Sequence, residues 1–87
     1  MLTITTRYTG ATDTRGSRVI ATATVNGARR SARVPFDYEA GTYGTHEQAA
    51  AALGAKLGVK VYDAREGTRT GWIFNAAPAA RGVEAGA

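Results

Sequence analysis

Asn26-Gly27 stands at the centre of an alternating stretch, residues 18–34 (RVIATATVNGARRSARV), and constrains the fold more than any other feature of the chain. A two-residue type I′ turn needs positive φ at both central positions, and Asn-Gly is a pair that tolerates it. With that pair in the turn, Val25 faces Ala28, Thr24 faces Arg29, Ala23 faces Arg30, Ala21 faces Ala32 and Val19 faces Val34. Side chains alternate between faces along a strand, so the register assigns every residue to a side. One face collects Val19, Ala21, Ala23, Val25, Ala28, Ala32 and Val34. The other collects Arg18, Ile20, Thr22, Thr24, Arg29, Ser31 and Arg33. Arg30 is the single charge on the apolar side, close to the turn, where a long side chain reaches water.

The remaining elements are read around this hairpin. Residues 2–8 (LTITTRY) alternate, with Leu2, Ile4, Thr6 and Tyr8 on one side and Thr3, Thr5 and Arg7 on the other, the pattern of a half-buried strand. Residues 9–17 read as a loop. Residues 45–58 read as the one helix, with Thr45 and Gln48 as a capping box, Lys56 in the last turn and Gly58 just beyond it. Its expected buried stripe is Ala49, Leu53 and Leu57, with Ala50 and Ala52 beside it. Gly54 weakens the helix unless a neighbour needs the room. Residues 59–63 and 69–75 read as two short strands around a loop at 64–68, with Val59, Val61, Trp72 and Phe74 inward. Residues 76–87 (AAPAARGVEAGA) have no periodicity and read as a flexible tail. The expectation is a single α+β domain over residues 1–75, a two-layer structure of order β-β-β-α-β-β. An antiparallel sheet of four or five strands carries the helix on one face.

Charge is distributed unevenly. Residues 1–38 hold Arg7, Arg15, Arg18, Arg29, Arg30 and Arg33 against Asp13 and Asp37, which accounts for the whole net charge of +4. Residues 39–87 are neutral. Most of the basic residues are Arg, which makes forked contacts to phosphate or carboxylate. Arg18, Arg29 and Arg33 share the wet face of the hairpin, and Arg7 and Arg15 are placed to join them. These five are the candidate contact residues, for nucleic acid or for an acidic protein surface.

Catalytic chemistry has little to stand on. The chain has no cysteine, which removes a thiol nucleophile, a thiolate metal site and a disulfide framework. His46 is the one histidine, and in the first turn of the expected helix it reads as an exposed residue. GATDTRG, residues 10–16, lacks the Lys-Ser/Thr of a phosphate-binding loop. A non-enzymatic binding protein without metal or cofactor is expected. No apolar run approaches the roughly 18 residues of a membrane span, and the N-terminal residues lack a basic region followed by an apolar stretch. The cytoplasm is the expected compartment, with no membrane partner.

Two resemblances add to this. RVIATATVNGARRSARV followed by HEQAAAALGAKLG resembles the C-terminal portion of a double-stranded RNA-binding domain, over residues 18–58. That family's first helix is missing, and so is the basic motif opening its last helix: here the turn reads Thr45, His46, Glu47, Gln48. TTRYTGATDTRGSRV, VPFDY, HEQAAAALGAKLG and GWIF are similar to small uncharacterised proteins of phages and prophages, over about residues 4–75. In size and layout the chain is also similar to anti-CRISPR proteins. Such a setting implies a bacterial host cytoplasm and an inhibitor that binds a host protein or nucleoprotein complex by surface charge. Direct binding of DNA or RNA through the arginine face is the alternative. A phage structural or assembly component, with a homodimer allowed, is a further one.

Overall fold

The computed structural model of the protein describes residues 2–10 and 16–78. Its elements are β1 (Leu2–Thr9), β2 (Arg18–Val25), β3 (Ala28–Pro35), α1 (Gly41–Leu57), β4 (Val59–Gly67) and β5 (Trp72–Pro78). The strands form one sheet in the order β3-β2-β1-β5-β4, with every neighbouring pair antiparallel. β1 is the central strand, flanked by the β2–β3 hairpin on one side and the β4–β5 hairpin on the other. α1 lies across one face and touches all five strands. The fold is α+β in two layers, as the element order implies.

The first hairpin adopts the register that its turn dictates, from Val25 opposite Ala28 to Val19 opposite Val34. Asn26 and Gly27 have φ of 52° and 79°, both in the left-handed region that a type I′ turn requires. Ile4 and Thr6 of β1, Val19, Ala21 and Ala23 of β2, and Phe74 and Ala76 of β5 are buried beneath α1. The helix answers with Ala49, Ala50 and Leu53. Ala32 and Val34 are only half-buried, because β3 is an edge strand with a neighbour on one side.

The helical stripe differs from the expected one at its edges. Leu57 is half-buried and Ala52 is exposed, while Gly54 is buried. A Cβ on Gly54 would lie 2.6 Å from Val61 Cγ2 and 3.2 Å from the Val59 carbonyl oxygen. The helix therefore gives up propensity at Gly54 so that β4 can pass close beneath it.

α1 begins at Gly41, four residues before the expected start at Thr45. Thr45 is not the cap. Its hydroxyl is 2.8 Å from the Gly41 carbonyl, one turn back within the helix, and it accepts the Asp37 N–H at 3.2 Å. Asp37 organises the turn before the helix instead. Its Oδ1 accepts the N–H groups of Glu39 (3.0 Å) and Ala40 (3.2 Å), and its Oδ2 accepts the Gln48 amide at 2.9 Å. The Gln48 amide, then the Ala40 N–H, hold the Asp37 carboxyl below its ordinary value.

The second hairpin is longer than expected. β4 runs through residues 64–67, read above as a loop, and β5 starts at Trp72 rather than 69. Two register shifts, between Val61 and Ala64 and between Ala64 and Glu66, break the alternation of β4 and hide it from a period-two reading. Ala76 is fully buried and pairs with Leu2 and Val61, so the sheet continues past residue 75, where a tail was expected. The rest of that tail, residues 79–87, lies outside the described residues, as do residues 11–15.

His46 is buried, not exposed, because it stands three, four and seven residues before Ala49, Ala50 and Leu53 and so shares the helix face that meets the sheet. It is 1% exposed, with its ring edge-on to Trp72 at 4.8 Å and Nδ1 2.7 Å from Thr6 Oγ1. Gly71 crosses directly above, where a Cβ would strike the Thr6 carbonyl and approach His46 Cε1 to 2.9 Å.

Candidate nucleic-acid interface

The face of the sheet opposite α1 has no covering element among the described residues, and its composition follows from pairing. Arg7, Ile20 and Arg33 form one cross-strand row over β1, β2 and β3. Thr9, Arg18 and Pro35 form the row on one side of it, and Thr5, Thr22 and Ser31 the row on the other. Thr24 and Arg29 pair one row further on. Arg7, Arg18, Arg29 and Arg33 therefore share one face. Of the five candidates only Arg15 is not placed, since it lies outside the described residues.

The dimensions come from sheet geometry. Arg7 and Arg33 stand two strand spacings apart, roughly 10 Å, and Arg29 is roughly 13 Å along β3 from Arg33. Arg7, Arg29 and Arg33 are exposed. Arg18 is half-buried and donates from Nη1 to the Gly16 carbonyl at 3.4 Å, which draws it toward the β1–β2 connection. Thr3, Thr5, Thr22, Thr24 and Arg29 line a shallow polar depression of about 410 Å³ on the same face.

On β1–β3 the charge of this face has no opposing carboxylate; Glu66 of β4 stands on the same face, across from Ile73 in the row of Thr5. β1, β2 and β3 contain no Asp or Glu. Among the described residues the one ion pair joins Arg65 and Glu66 at 3.8 Å, on β4 at the far side of the sheet. Among the described residues, none of the four arginines pairs with a carboxylate. Lys60 also belongs to the open face, across from Ala77, and sits over the Tyr62 ring at 5.4 Å. The alternation of Val59 and Val61 inward already turns Lys60 outward, but its side of the sheet relative to the arginines follows only from the pairing of β4 with β5.

The face presents guanidiniums and hydroxyls, the groups that most often contact phosphate and sugar. It has no aromatic ring on β1–β3 for bases to stack on; Tyr8 points to the helix side, edge-on to Phe36 at 5.8 Å. Among the described residues no three His, Cys, Asp or Glu side chains gather as a metal-binding set. No described helix is long and apolar enough to cross a membrane. No family model, curated protein or solved structure matches the chain.

Proposed function

We propose that the protein binds the sugar–phosphate backbone of duplex nucleic acid through the open face of its sheet. The observation that carries this reading is the Arg7–Ile20–Arg33 row, flanked by Arg18 and Arg29 on strands free of carboxylates. Guanidiniums without a carboxylate partner among the described residues, about one groove width apart, suit phosphates on either side of a groove. Interspersed threonines supply neutral donors to the same oxygens. The absence of stacking rings on β1–β3 favours duplex over single strand at this surface. Binding is expected to be sequence-independent, because phosphate contacts position a protein without reading bases.

The test is the triple variant Arg7→Ala, Arg29→Ala, Arg33→Ala. All three side chains are exposed, so folding is expected to survive. Fluorescence anisotropy on two duplexes of unrelated sequence should show equal affinity for wild type and equal weakening for the variant. Unchanged binding by the variant overturns the reading. A host-complex inhibitor uses the same arginines against carboxylates. That reading is supported instead if wild type binds no duplex but captures a host protein after nuclease treatment, and the triple variant does not.

A further inference from the structure

On the helix side of the sheet, at the end where β1 and β5 meet the start of α1, two runs of aromatic rings face each other across a slot of about 570 Å³. One run is Tyr8, Phe36 and Tyr38, joined edge-to-face at 5.8 and 4.8 Å. The other is His46 and Trp72, with a centroid distance of 4.8 Å, and Tyr43 backs Trp72 from outside the slot at 5.0 Å. The slot is of the size that takes small ligands. Its walls leave large rings in water: Tyr8 is 44% exposed and Tyr38 is 80% exposed.

The polar groups around the slot are of one kind. Arg69, Thr42, Thr68 and Thr70 line it, and no carboxylate does among the described residues. The β4–β5 turn that carries Arg69 is held in place. Thr68 N–H donates to the Gly71 carbonyl at 2.7 Å, Gly71 N–H donates to Thr68 Oγ1 at 3.0 Å, and Tyr8 N–H donates to the Thr70 carbonyl at 2.9 Å. At the floor, burial lowers the His46 pKa and so disfavours its charged form, and its Nε2 has no hydrogen-bond partner among the described residues. The floor therefore offers an aromatic edge rather than a charge.

We infer that this slot binds a nucleotide, its base inserted between the Tyr38 and Trp72 walls and its phosphate on Arg69. A flat ring fits between aromatic walls, and stacking of a base on such rings is tolerant of which base it is. The Arg69 cation at the rim, with no carboxylate among the described lining residues, selects for an anionic group on that ring. The inference goes beyond the duplex reading and does not depend on it, since slot and arginine face lie on opposite sides of the sheet.

Trp72 is the single tryptophan, so its emission and its indole N–H resonance report on the slot alone. Titration with AMP and UMP should give a saturable change in both signals. Ribose 5-phosphate, which has no base, should give none. Tyr38→Ala and Arg69→Ala change exposed side chains, and each should weaken the titration on the order of tenfold. The triple arginine variant of the open face should titrate like wild type. A single-stranded oligonucleotide competing at the same resonance assigns the nucleotide to a strand; AMP binding without that competition assigns it to the free form. No saturable change with either nucleotide at millimolar concentration, an equal response to ribose 5-phosphate, or insensitivity to both slot variants would overturn the inference.

Discussion

A single hydroxyl shows how tightly the interior is specified. Thr6 Oγ1 accepts the Trp72 N–H at 3.2 Å and lies 2.7 Å from His46 Nδ1 and 3.3 Å from the Trp72 carbonyl oxygen. One assignment satisfies all of these: His46 donates from Nδ1, and Thr6 donates to the Trp72 carbonyl. The unpaired atom is then a bare Nε2 lone pair, a lighter penalty than a buried N–H without an acceptor. Protonation would place a charge on that partnerless nitrogen, and burial accordingly lowers the His46 pKa below its usual 6.5. The folded state thus binds this proton less readily than the unfolded chain. Stability is full above pH 6.5 and falls as pH drops from there toward the lowered folded value. Asp37 acts in a separate window: its carboxyl is held below 3.8, so its contribution is lost only as pH falls through that lower value. Thermal melts should show a drop in midpoint below pH 6.5 in wild type that is absent in His46→Gln. A drop of equal size in both would contradict the assignment.

At the level of elements, legibility tracked how local each determinant was. The first hairpin was readable residue by residue, because Asn26-Gly27 fixes the register and every later pairing follows. The same logic put Arg18, Arg29 and Arg33 on one face before any coordinates. The helix was legible in its body but not at its start. Thr45 and Gln48 read as a capping box, but both serve Asp37 in the turn before the helix and neither caps α1. The burial of His46 is legible in its spacing, since it lies three, four and seven residues before the buried Ala49, Ala50 and Leu53. β4 was not legible, since its bulges remove the periodicity on which strand recognition depends. Leu53 is fully buried at the centre of the stripe facing the sheet. Leu53→Ala should therefore cost about 2–5 kcal/mol in chemical denaturation. A change near zero would mean that α1 does not carry the core.

For the molecule as a whole, one layer of helix covers one face of a five-stranded sheet and leaves the other open, and the basic residues of β1–β3 concentrate on that open side. The arrangement has a structural benefit as well: Arg29, Arg30 and Arg33 place charge along the β3 edge and discourage pairing with another strand. Lys56 reinforces that edge by donating to the Ser31 carbonyl at 2.9 Å. Edge protection accounts for charge on β3, but not for Arg7 on the central strand or Arg18 on β2, both inside the sheet. A phosphate-binding face accounts for all four. Its most direct measurement is the dependence of duplex affinity on salt. Each neutralised phosphate contributes about −0.9 to the slope of log affinity against log salt. Three exposed arginines give a slope of about −2.7, and Arg18 as a fourth contact brings it to about −3.6. The account predicts a wild-type slope in that range, and one reduced by about 2.7, to between zero and about −0.9, for the variant lacking Arg7, Arg29 and Arg33. A wild-type slope near zero, or an equal slope in the variant, would contradict it.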